Sequence, residues 1–117
     1  VRILHVNKFL FGRGGAERYM FDVARALRRR RQEVFFFGAA HEENVEREYE
    51  KFYPRYRDFS GASVGVSAAL AAAWSADAGR RMRAFVEEVK PDVAHLHNIA
   101  YHLTPAVVSA LAGAGVP

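Results

Sequence analysis

The chain has 117 residues, half of them apolar and 13% aromatic, which suits one folded domain with a real core and excludes a disordered tail. It has no cysteine, so disulfide scaffolds, thiolate zinc sites and cysteine nucleophiles are excluded too. The net charge of +4 is unevenly spread: Arg13 to Arg31 holds seven arginines against Glu17 and Asp22, and Glu42 to Glu50 holds five glutamates against Arg47. No apolar run approaches the roughly 18 residues of a membrane span, and Val1 to Asn7 lacks the apolar stretch of a signal peptide. A soluble, cytoplasmic, single domain is expected.

Ile3 to Val6 reads as a short strand bounded by Asn7 and then by Gly12, Gly14 and Gly15. From Gly15 a helical period takes over, with Ala16, Tyr19, Met20, Val23, Ala24 and Leu27 on one face and Arg18, Asp22, Arg25 and Arg29 on the other. The run Arg28 to Arg31 stands at the helix carboxyl end, where positive charge complements the dipole. Glu33 to Gly38 reads as a second strand, continuously apolar as in a buried parallel sheet.

Asn44 to Phe52 reads as a short acidic helix, and Tyr53 to Tyr56 and Ser60-Gly61 as loop. Ser67 to Val89 reads as a long helix, with Leu70, Trp74, Ala78, Met82, Phe85 and Val89 along its apolar stripe and Pro91 stopping it. Asp92 to His97 makes a third strand. Thr104 and Pro105 open a last helix as N-cap and first-turn residue, ending at Gly113 or Gly115. Strands alternating with helices predict an α/β fold, a Rossmann-like open parallel sheet with helices on both faces.

In such a sheet ligands sit beyond the carboxyl ends of the strands, where strand order reverses. Gly14-Gly15 stands just before a helix, so backbone can approach a ligand and the helix start can hold an anion such as a diphosphate. The same glycines also suit a plain strand-to-helix turn. Two nucleotide patterns fail. The chain has no Gly-Lys pair for a Walker loop, and Gly12-Arg13-Gly14-Gly15-Ala16-Glu17 has Glu17 where a dinucleotide fingerprint needs its third glycine.

His95 and His97, two apart in a strand, share one side. A metal site with His102 or Asp92 is one reading, but no third and fourth ligands stand at tight spacing, so no metal is expected. Instead His95 reads as a hydrogen-bonded core residue, while His97 and Asn98 emerge into the crevice with donors and acceptors that suit hydroxyls. His5 and His41 read as structural or solvated. The arginine run reads as a solvated helix end, then as a weak contact with anionic lipid heads. Without an aromatic stacking platform it does not point to nucleic acid.

With these residues in place, the chain resembles the amino-terminal part of family 4 glycosyltransferases, the group 1 retaining enzymes of GT-B fold. The resemblance rests on Ile3-Leu4-His5-Val6-Asn7, Arg13-Gly14-Gly15-Ala16-Glu17, Leu27 to Val34, Lys90 to Asn98, and the Thr104-Pro105 helix start. It implies a two-domain enzyme, bacterial and engaged in polysaccharide biosynthesis, that moves a sugar from a nucleotide-sugar donor to a saccharide or glycolipid acceptor. The nucleotide-sugar is a co-substrate, and no cofactor or metal is implied. Residue by residue, His97 matches the family histidine that contacts the donor sugar. Gly14 and Gly15 match the loop near the donor diphosphate and the acceptor hydroxyl, flanked by Arg13 and Glu17, and Asn98 follows His97 into the crevice.

Arg31-Gln32 departs from the family's usual Gly-His before Glu33. Glu42 and Glu50 have the spacing of the family's Glu-x7-Glu element but lie in the wrong domain. Residues 1–117 are therefore expected to form a single, incomplete amino-terminal domain. It lacks the carboxyl-terminal donor-binding domain, is inactive alone, and can self-associate through an exposed sheet edge. The competing expectation is a free-standing flavodoxin-like binding or interaction module. Localisation is expected to be cytoplasmic, with a peripheral contact at the inner face of the cell membrane.

Overall fold

The computed structural model describes residues 1–56, 65 and 74–117. Its three-stranded sheet has β1 (Arg2–Val6) at the centre, with β2 (Glu33–Phe37) and β3 (Val93–Leu96) parallel on either side. The order β2-β1-β3 reverses at β1, which opens a crevice beyond the carboxyl ends of β1 and β3. Helix α1 (Gly15–Arg29) joins the first two strands, a single 3-10 turn (Glu50–Phe52) follows β2, and α2 (Ala76–Val89) and α3 (Ala106–Gly113) flank β3 in sequence. This is the Rossmann-like α/β arrangement that the strand–helix alternation predicts.

Period-two alternation divides the sheet into two unlike faces. On one face the register sets Leu4 beside Phe35 and Ala94, and Val6 beside Phe37 and Leu96. Leu4, Val6 and Phe37 join Met82, Phe85, Val89, Leu103 and Val107 in the core, with the Phe37 ring 5.3 Å from Phe85. Gly79 of α2 faces Ala106 at the start of α3, where a Cβ would sit 3.4 Å away, at ordinary contact distance. The other face sets His5 beside Phe36 and His95, and here α1 packs Phe21 against Phe36 with ring centres 5.7 Å apart.

The sheet also closes the end of α2. Arg2 donates from Nε and Nη2 to the carbonyl of Val89 and from Nη1 to Glu33, while Lys90 caps the helix in the left-handed region at φ 47°. A terminal carbonyl of α2 that the helix cannot satisfy is thus taken up by a strand residue. On the outer edge of β3, the Ala94 N–H donates to the Pro117 carbonyl at 2.8 Å.

Several elements differ from the sequence expectation, each for a local reason. The long helix begins at Ala76, because Ser75 caps it by accepting from the Ala78 N–H at 3.1 Å. Trp74 stands before that cap and is exposed, so it leaves the apolar stripe. Leu70 and Ser60-Gly61 lie outside the described residues. The acidic helix expected over Asn44 to Phe52 contracts to Glu50–Phe52.

Thr104 stands at φ 61°, which makes Pro105 the N-cap of α3. The Thr104 hydroxyl still accepts from Ala106 N and from Ser75 N, at 3.4 and 2.9 Å, tying the starts of α2 and α3 together. In α1 the buried side is Glu17, Met20 and Ala24, while Ala16 and Tyr19 face solvent. The helix is turned toward Glu17 because that carboxylate has a partner inside.

Candidate functional site

Asn7, the residue after β1, is fully buried and joins three segments. Its Nδ2 donates to the Phe9 carbonyl at 2.7 Å and to Glu17 Oε1 at 3.1 Å. Its Oδ1 accepts from the Asn98 N–H at 3.0 Å. Backbone bonds reinforce the junction, from Lys8 N to Asn98 O, from His97 N to Val6 O and from Asn7 N to Phe37 O. A buried amide with this many partners stabilises one geometry for the strand ends, because losing any partner leaves a desolvated polar atom.

The loop from Lys8 to Gly14 leads into α1. At Gly14 the backbone is extended, with φ −162° and ψ −166°, a conformation open to any residue. A Cβ at Gly12 or Gly15 would meet nothing within 4 Å, and one at Gly14 would only touch Glu17 Oε2 at 3.4 Å. Among the described residues, neither backbone geometry nor packing demands glycine here. A side chain would instead intrude on an open groove of about 610 Å³ lined by Gly12, Arg13, Gly14, Gly15, Arg18 and Arg25 among others.

α1 carries no side-chain cap, so first-turn N–H groups at the groove rim have no helical partner. Arg13 is held over the Phe9 ring, 4.3 Å from its centre. The glycine that packing does require is Gly38, just past β2. A Cβ there would lie 2.6 Å from the Asn7 carbonyl oxygen and 2.7 Å from Leu10 Cγ.

His97 leaves the end of β3 and lines a second groove, of about 540 Å³, with Asn98, Tyr101, Thr104 and neighbouring residues. Its Nε2 lies 2.9 Å from His5 Nδ1, and its ring is centred 4.1 Å from His95 and 5.2 Å from His5. Burial, with the charge of the neighbouring histidines adding to it, lowers the pKa of His5 to about 4. Burial and His95 likewise lower His97 to about 4, against the opposing pull of the Glu17 carboxylate. Both rings are therefore neutral at pH 7, each able to give and take one hydrogen bond. Across the groove, Tyr101 and Thr104 stand at φ 67° and 61°, a strained region for such residues that clusters at binding sites.

The structure keeps His5 in the structural role expected of it but does not place His95 in the core. His5 is the buried ring, stacked on Phe36, and His95 is exposed rather than held in the core. The centre strand is covered on both faces, whereas β3 is an outer strand among the described residues. The third imidazole beside His95 and His97 is His5; Asp92 instead accepts from the Arg2 N–H, and His102 stacks on Tyr56. Sequence spacing could not reveal His5, because parallel register alone brings it opposite His95.

Of the expected site residues, His97, Asn98 and Glu17 converge around Asn7. Arg13, Gly14 and Gly15 line the groove next to Glu17. Asn98 contributes mainly its backbone, since its Oδ1 accepts from Ala100 N within its own turn. Asn7 itself went unread as a site residue. Its signal was a polar side chain between an apolar strand and a glycine loop.

An open parallel sheet with a strand-reversal crevice, a glycine loop opening the first helix and a histidine at the third strand end defines a Rossmann-like α/β domain. Residues 13–117 match the family Glycosyltransferase Family 4, and the chain belongs to that family. Neither the curated proteins nor the solved structures yield a match. No helix among the described residues is long and apolar enough to cross a membrane.

Proposed function

We propose that this domain forms the amino-terminal, acceptor-side half of a retaining glycosyltransferase. The reaction moves a hexosyl group from a nucleotide-sugar to a saccharide or glycolipid hydroxyl. The observation that carries this reading is His97, a neutral imidazole held at the crevice mouth by His5 Nδ1 at 2.9 Å. A neutral ring positions a sugar hydroxyl through a directed hydrogen bond without placing a cation beside the anomeric centre, where positive charge develops in the transition state. Gly14 and Gly15 leave room for the donor diphosphate at the start of α1, where the helix dipole stabilises negative charge. Arg13 and Glu17 flank that position.

The transfer needs no cofactor or metal in this reading, and the donor base and sugar are gripped mainly by a carboxyl-terminal domain outside these residues. The family assignment favours this function over a free-standing binding module. Exposed Arg29, Arg30 and Arg31 supply the peripheral contact with anionic lipid at the inner face of a bacterial cell membrane. Arg28 is less free for that contact, being paired with Glu46 at 3.1 Å. The outer edge of β3 is where a further strand or a second copy pairs.

The test is release of nucleotide from the donor by the full-length protein, with and without His97→Ala. A loss of roughly 100-fold in kcat is the scale of removing one positioned polar contact from the reacting centre. An unchanged kcat in a folded His97→Ala protein sinks the assignment of His97.

A further inference from the structure

The α1-side face of the sheet holds three histidines, of which the transfer reading uses one directly. His5 and His95 are register partners on neighbouring parallel strands, and His97 lies two residues further along β3. All three therefore project from one face. One imidazole nitrogen from each lies within 4.8 Å of the other two. We propose that this cluster is a binding site for a divalent transition-metal ion of the zinc class, held by three imidazoles with a fourth position open to water.

Geometry and donor type support the site independently. Tetrahedral zinc with Zn–N distances of about 2.0–2.1 Å separates its nitrogen ligands by roughly 3.3 Å. The 2.9 Å between His5 Nδ1 and His97 Nε2 thus opens by a few tenths of an ångström to admit the ion, while the wider separations in the cluster, up to 4.8 Å, close as the exposed His95 ring turns in. His5 is wholly buried, His97 half-buried and His95 exposed, so the ion has a fixed inner ligand and an entry path at its outer one. The second His5 nitrogen, Nε2, is buried with no hydrogen-bond partner among the described residues.

Three imidazole nitrogens without carboxylate or thiolate favour zinc, copper, nickel or cobalt over magnesium or calcium. A bound ion would take His97 Nε2 from His5 and re-aim the ring assigned above to the sugar hydroxyl, and so act as an antagonist of the donor rather than as a cofactor. That consequence rests on the transfer reading; the binding itself does not.

The experiment titrates the metal-free chain with Zn²⁺ against a chromophoric chelator and follows histidine side-chain nitrogens by long-range ¹H–¹⁵N NMR, with no sugar substrate present. A single bound ion is expected, with shifts at His5, His95 and His97. The exposed ligand variant His95→Ala should weaken binding roughly 10- to 100-fold or more, the scale lost when even an outer partner of a metal ligand is removed. Unchanged affinity in His95→Ala, or Zn²⁺ shifts confined to His41 and His102, overturns the proposal. The wild-type spectrum gives this answer even if a variant fails to fold, and failure here leaves the transfer reading standing.

Discussion

On one face of the sheet, Leu4, Val6 and Phe37 meet Met82, Phe85 and Val107 from α2 and α3. On the other, His5 and His95 occupy the equivalent positions of β1 and β3, with α1 packed over Phe36 on that side, His5 buried and His95 exposed. The same backbone alternation thus delivers an all-apolar set to one side and a mixture of imidazole and Phe36 to the other. Each large apolar side chain buried on the first face contributes about 1.5–3 kcal/mol. Desolvating a histidine on the second opposes folding whenever the ring is charged. The larger share of buried apolar side chains stands on the first face, although Met20, Ala24 and Phe36 add to the core from the second.

The largest effect should come from breaking the apolar face. Phe85 is fully buried and its ring meets those of Phe37, Tyr49 and Phe52 at 5.3 to 5.8 Å. Phe85→Ala should cost about 3–5 kcal/mol, through lost burial and the cavity left behind. Urea unfolding followed by circular dichroism reads this directly. A cost below about 1 kcal/mol would mean that the apolar face is not where stability resides.

Acid should act on the opposite face. The folded pKa of His5 is about 4 against about 6.5 in an unfolded chain, so between these values the unfolded state binds more protons. Stability therefore rises with pH across that window: it is flat above pH 6.5, falls as pH drops toward 4, and levels below. For His5 the loss is on the order of 3 kcal/mol, and His97 adds to it in the same direction. His5→Phe, which keeps a ring against Phe36, should remove roughly half of the slope in unfolding free energy between pH 4 and 6.5. A variant slope equal to that of the wild type would show that His5 does not titrate with folding.

These contrasts were legible in the sequence to different depths. The three strands, α1 and the α/β class follow from apolar runs and a 3.6-residue period, because both signals are local. The start of α2 rests on a local cap, Ser75 accepting from Ala78, but its link to α3 depends on a hydroxyl that reaches between elements, as Thr104 accepts from Ser75 across 29 positions. Periodicity carries no trace of such a bond. The turn after α1 shows the same limit from the other side. Arg31 takes φ 61°, a left-handed conformation that favours glycine, at the position where the resembling family usually has one. At the site, His97 and the glycine loop were readable as motifs. The His5 contact and the Asn7 junction arise only when β1 and β3 pair, more than 90 residues apart in the chain.

The smallest effects on stability should separate two glycines that look alike on paper. Gly38→Ala forces a Cβ to within 2.6 Å of the Asn7 carbonyl oxygen, a backbone atom held in the strand-end junction. Overpacking of this kind costs about 1–3 kcal/mol. Gly15→Ala adds a methyl group to open space at the first position of α1, and replacing a helical glycine by alanine is neutral or stabilising by up to about 1 kcal/mol. Thermal unfolding should therefore rank Gly15→Ala at or above wild type and Gly38→Ala below it. Donor binding by the full-length protein should reverse the interest of the pair. A methyl group at Gly15 projects toward the groove at the start of α1, so affinity for the nucleotide-sugar should fall while the fold is intact. If Gly15→Ala is as stable as wild type and binds donor equally well, the open space beside that glycine is a turn and not a ligand site.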